Sequence, residues 1–137
     1  MIFHVNRMTW KAGLSEEQRQ AGLELMRQAG AANPAVKSYV VGPELGGEFQ
    51  YCAVYVVEDL DGYWAYLTHP AHVRSEVEGI PLIEKFVAFD VSDSDDPDLG
   101  EKIAALQARN LQEYPEVAAA AAAAASFTVP DGSGSAA

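Results

Sequence analysis

The sequence predicts an α+β protein, with a four-stranded antiparallel sheet carrying two helices on one face. Three observations predict it. Four runs rich in β-branched and aromatic residues fill the first two-thirds of the chain. Stretches with helical spacing separate the first run from the second and the third from the fourth. A short, turn-rich link joins the second to the third, which makes that pair an antiparallel hairpin. The resulting order, β-α-β-β-α-β, is that of the ferredoxin-like unit.

"IFHVNRMTW" (Ile2–Trp10) is the first strand. Its alternation puts Ile2, His4, Asn6 and Met8 on one face and Phe3, Val5, Arg7 and Thr9 on the other. "LSEEQRQAGLELMRQAG" is a helix opened by a capping box, with Ser15 at the N-cap and Gln18 three residues on. Glu16 and Glu17 suit the positive end of its dipole, and Leu23, Met26 and Ala29 mark its apolar stripe. Gly30 is the expected stop before "AANP". "VKSYVVG" is the second strand, "PELGG" the link, and "EFQYCAVYVVED" the third strand, apolar on both of its faces. Leu60, Tyr63 and Leu67, with Trp64 and Tyr66, fall at helical spacing and predict the second helix. Pro70 pushes His69 away from α geometry, so His69 closes that helix and His72 belongs to the next segment. "KFVAFDV" is the fourth strand.

A sheet of this kind has no cover on its second face. With the third strand apolar on both sides, a second copy of the chain is the expected cover, and a homodimer joined through the sheets is predicted. Beyond the fourth strand, helix propensity resumes at Asp98, the expected cap, with Leu99, Ile103, Leu106 and Asn110 along one stripe. Pro115 interrupts this helix and suits the first position of another. The run Ala118–Ala125 has high helix propensity and little to bury. This extension is expected to be either a lid over a pocket or an arm gripping the partner subunit.

Nine basic against twenty acidic residues give a formal net charge of −11, which repels phosphate backbones and anionic lipid. No nucleic-acid or membrane partner is expected. No basic region followed by a long apolar core opens the chain, and no apolar run reaches about 18 residues, so a cytoplasmic protein is expected. The single Cys52 lies in an apolar run and reads as inert. The acidic stretch "DVSDSDDPDLGE" does not carry a turn glycine and a bidentate glutamate together at the offsets of a calcium loop and reads as a solvated linker. There is no GxGxxG or phosphate loop, and no cofactor is expected.

The residues suited to chemistry are the three histidines, His4, His69 and His72, together with Tyr66. Histidine moves protons near neutral pH, and tyrosine can donate to a developing oxyanion. From the residues alone two readings stand: the "HPAH" histidines fix a turn, or they form an acid–base site with His4. His-x-x-His plus His4 would supply three nitrogens to a metal, but Pro70 splays the pair and no acid adjoins them, so no metal site is expected.

"FHVNRMTWK", "YLTHPAHV" and "KFVAFD" together resemble the stress-responsive dimeric α+β barrel (Dabb) family, and within it polyketide cyclases of the olivetolic acid cyclase type. The resemblance implies a barrel domain over residues 1–93 and does not account for the rest, where the residues themselves predict a helical extension over 94–127 and a disordered tail over 128–137. It also implies a small-molecule substrate and an intramolecular aldol condensation of a poly-β-keto compound. In that scheme His72 takes the proton, Tyr66 hydrogen-bonds the ketone oxygen, and His4 orients the substrate or tunes His72. His69, Phe3, Tyr51, Tyr63 and Trp64 are the candidate substrate-binding residues. A non-catalytic dimeric binding or stress protein, and a cofactor-free oxygenase on the same barrel, are the alternatives.

Overall fold

In a computed structural model, residues 1–124 and the backbone of 127–128 are described. The elements follow the expected order: β1 (Ile2–Trp10), α1 (Glu16–Ala31), β2 (Ser38–Pro43), β3 (Tyr51–Val57), α2 (Leu60–Thr68) and α3 (Pro70–Arg74). A π-helical turn (Ser75–Gly79) and a 3-10 turn (Ile80–Leu82) then lead into β4 (Ile83–Ser92). The helices α4 (Leu99–Glu113) and α5 (Pro115–Ala122) and a two-residue strand, β5 (Phe127–Thr128), follow. The sheet runs β2-β3-β1-β4-β5, antiparallel throughout except for the β4–β5 pair. This is the ferredoxin-like α+β fold.

Alternation along β1 decides what is inside. Ile2, His4, Asn6, Met8 and Trp10 are buried beneath the helices, whereas Phe3 is 41% exposed on the opposite face. On that outer face Phe3 pairs in register with Val91, and Val5 with Phe89. Val40, Phe89 and Val91 are also exposed. The capping box of α1 forms as expected: Gln18 N donates to Ser15 Oγ at 3.1 Å, and Ser15 N donates to Gln18 Oε1 at 2.9 Å. Gly30 does not stop the helix, which runs on to Ala31. Its missing Cβ instead makes room for the Tyr39 ring, whose Cγ would lie 2.4 Å from such an atom.

Two features differ from expectation after β4. Asp98 takes the N-cap position of α4 without a side-chain cap bond. The extension is also not helical to its end. The β4 edge offers unpaired backbone groups, and β5 adds to it in parallel, Phe127 opposite Phe86 and Thr128 opposite Val87. The expected tail lies, from residue 129 on, outside the described residues. Pro115 is the first residue of α5, as its fixed φ favours. α4 packs on α2, and α5 packs on the π-helical turn.

Candidate active site

The site begins at the broken end of α2. His69 leaves helical geometry at φ −66°, ψ 137°, and the chain restarts as α3 with Pro70 in its first turn. Helix ends leave carbonyls without partners, and here side chains claim them. Asn33 Nδ2 donates to Tyr66 O at 3.2 Å, and Tyr114 Oη donates to Thr68 O at 3.5 Å. His72 Nδ1 lies 2.9 Å from Leu67 O. A carbonyl only accepts, so Nδ1 carries a proton and Nε2 is the ring nitrogen through which His72 can exchange one. That atom is 3.3 Å from Glu76 Oε1, on the π-helical turn. His72 is 4% exposed.

A second histidine is held in the same way from the sheet. His4 and Asp90 are register partners across β1 and β4, and His4 Nδ1 lies 2.8 Å from Asp90 Oδ1. Tyr63 Oη donates to Asp90 Oδ2 at 3.2 Å and stands 3.1 Å from His4 Nδ1. Gln107 Nε2, from α4, donates to Tyr63 Oη at 2.9 Å. With Nδ1 given to the carboxylate, Nε2 is the ring atom of His4 left for a ligand, the arrangement by which a carboxylate fixes a base's tautomer.

Between these histidines is a cavity of about 130 Å³. The sheet contributes His4, Asn6, Phe86 and Ala88, and the turn contributes Leu67, His72, Glu76 and Ile80. The remaining wall is Gln107, Asn110, Leu111, Val117 and Ala121, all from α4 and α5. The extension therefore walls the pocket. A smaller space of about 30 Å³ adjoins it, sharing Asn6, Glu76, Ile80 and Phe86 and reaching Tyr66. Tyr66 is 1% exposed, and its ring centre is 4.5 Å from that of His72 and 5.7 Å from that of His4. Burial holds its hydroxyl well above the ordinary phenol pKa, so it stays a donor. The same holds for Tyr63, whose neighbour Asp90 adds to the effect.

The structure thus gathers His4, Tyr66 and His72 and places the other expected residues elsewhere. His69 is half-buried and caps α3, its Nδ1 accepting from Ala71 N at 3.1 Å, and it does not line the cavity. Phe3 faces away from the cavity because odd positions of β1 lie on the outer side. Tyr51 packs on Trp10, ring centres 5.9 Å apart. Trp64 is covered by the Arg109 guanidinium, 4.1 Å above its ring. Tyr63 is fully buried and serves His4 and Asp90 rather than the cavity wall. Sequence reasoning did not single out Glu76, Gln107 or Asn6, and it read Asp90 as the start of a solvated linker, whereas β4 runs on to Ser92 and holds the Asp90 carboxylate mostly buried against His4. Asp90 was signalled by its place in the otherwise apolar "FVAFDV", and Glu76 by its i,i+4 spacing from His72. Among the described residues no group of three or more His, Cys, Asp and Glu side chains could hold a metal ion.

The model of the Stress responsive A/B Barrel Domain family, Dabb, matches residues 2–93, and the chain belongs to that family. No curated protein matches it significantly. Among solved structures it is similar to a dimeric ferredoxin-like protein of unknown function from Thermobifida fusca, at 26% identity and TM-score 0.60, covering 66% of this chain and 89% of that one. A hydroxynitrile lyase from Passiflora edulis is similar at 17% identity and TM-score 0.60, covering 68% of this chain and 94% of the lyase. A putative antibiotic biosynthesis monooxygenase from Chloroflexus aurantiacus is similar at 17% identity and TM-score 0.52, covering 72% and 99%. The last two likenesses are of fold.

Proposed function

We propose that this protein is a dimeric, cofactor-independent acid–base enzyme acting on a small, apolar, carbonyl-bearing metabolite, in the manner of an aldol-type polyketide cyclase. The observation that carries the reading is the buried His72, with Nδ1 committed to Leu67 O and Nε2 left at the cavity beside Glu76. A carbon acid between two carbonyls needs only a modest base. His72 Nε2 takes that proton, and the imidazolium formed donates to Glu76. Tyr66, kept protonated by burial, donates to the oxygen that gains charge. The carbanion attacks a second carbonyl, and the new alkoxide recovers the proton from His72, so no electrons leave the substrate. His4, locked by Asp90, positions the substrate.

The resemblance in "YLTHPAHV" and "FHVNRMTWK" supports the cyclase form of this reading. A second form, cleavage of a small hydroxyl-bearing adduct by the same base, is supported by the modest cavity of about 130 Å³ and by the hydroxynitrile lyase among similar folds. Incubation with short poly-β-keto thioesters and with cyanohydrins, followed by mass spectrometry, separates the two. Turnover of either class should be lost in His72→Ala and in Tyr66→Phe with the circular dichroism unchanged. Wild-type rates in both variants would sink the acid–base reading, and no turnover of either class by the wild-type chain would leave a non-catalytic binding protein or an oxygenase.

A further inference from the structure

The walls of the cavity include two carboxamides, and the oxygen of one has nothing to bind. Asn110, on α4, is 4% exposed, and its Oδ1 is enclosed with no hydrogen-bond partner among the described residues. Asn6, on β1 opposite, is 9% exposed and brings a second carboxamide to the wall. Both line the same space. A buried amide oxygen without a partner costs about 1–3 kcal/mol, so Asn110 Oδ1 beside this cavity calls for an occupant. A water would leave most of the wall without a matching contact, because Leu67, Ile80, Phe86, Leu111 and Val117 are apolar. Few polar groups in an apolar concavity is instead the composition of a small-molecule site.

We propose that Asn110 and Asn6 are the recognition residues of this site, and that they select a compact hydroxylated compound about the size of one six-membered ring. The size follows from the volume: an apolar cavity of about 150 Å³ accepts benzene, and this one measures about 130 Å³. The hydroxyl follows from the amides, since an O–H both donates and accepts and so satisfies either end of a carboxamide. Asn110 lies outside the family-matched residues 2–93. The extension therefore sets which molecule is taken, while the histidines stay within the family domain. This rests on the cavity being the substrate site of the proposed enzyme and narrows its substrate class.

The test is binding by the full chain, read from the methyl resonances of Ile80, Leu111 and Val117 during titration with phenol and with anisole. Phenol should bind at least tenfold more tightly than anisole, although anisole is the more apolar. Asn110→Leu should erase that preference and leave anisole affinity within about twofold. Equal affinity for the two probes in the wild-type chain would overturn the proposal, whether or not the variant folds. So would a preference kept in Asn110→Leu, or shifts from neither probe, which would mean a water-filled cavity. Phenol has no carbon acid to react, so these outcomes bear on recognition alone. Retained turnover in His72→Ala would overturn the chemistry without altering the phenol preference.

Discussion

His4 and Asp90 stand opposite each other in the β1–β4 ladder, with Nδ1 2.8 Å from Oδ1, although 86 positions separate them in the chain. The sheet itself holds this pair, so its geometry is as rigid as the ladder. Asp90→Asn keeps the shape but removes the charge that fixes the tautomer of His4. Turnover is expected to fall by on the order of 10²-fold or more, and the nitrogen-15 shifts of His4 should show the Nδ1 proton lost or shared with Nε2. An unchanged tautomer and rate would leave Asp90 a purely structural partner.

Tyr63 and Tyr66 are one turn apart on α2 and should answer hydroxyl removal in opposite ways. The Tyr63 hydroxyl is bonded to Asp90, His4 and Gln107. Tyr63→Phe strands those buried partners and should lower stability by about 1–3 kcal/mol in urea unfolding. The Tyr66 hydroxyl is acted on by burial and by neighbouring charges, with no side-chain hydrogen bond among the described residues. Tyr66→Phe should therefore change stability by less than about 1 kcal/mol while losing turnover. Equal stability losses would contradict this division.

Arg7 and Glu44 form a two-pronged pair, at 2.6 and 2.8 Å, and Phe49 N donates to the same carboxylate at 3.0 Å. The bonds from Arg7, then the one from Phe49, hold the Glu44 carboxyl down at about 2. An unfolded glutamate titrates near about 4.3. The depressed folded value means the contribution is present above about 4.3 and disappears as pH falls through about 2. Thermal unfolding midpoints should thus fall between about pH 5 and about pH 2 by less in Glu44→Gln than in the wild-type chain. Parallel pH profiles would remove Glu44 from the acid response.

The exposed outer face, with Phe3 beside Val91 and Val5 beside Phe89, is the surface expected to meet a second copy. The dimeric ferredoxin-like protein of Thermobifida fusca supports this expectation. Light scattering should give a dimer mass at micromolar concentration and a monomer mass for the double variant Phe89→Glu, Val91→Glu, since facing carboxylates would be buried unpaired. One mass for both chains would refute the arrangement.

Much of the fold was legible because period-two alternation in β1 records which side chains are covered: Ile2, His4, Asn6 and Met8 read as one face and are one face. That alternation also placed Phe3 opposite His4, so Phe3 could not share a pocket with it. His72 was legible through Pro70, which forces the helix break. The Asp90 partner was not, because it depends on which strands become neighbours, and composition does not state this. Asn110 stood at the end of an apolar stripe, where a polar residue breaks the pattern, yet only the packing of α4 over the cavity shows what it faces.

The end of α2 is clamped from three directions, by Asn33 from the α1–β2 loop, by His72, and by Tyr114 at the α4–α5 junction. A helix end held this way cannot fray by itself. Loosening it requires the loop, the imidazole and the junction to release together, so amide exchange in this turn would proceed as a single cooperative opening rather than by local breathing.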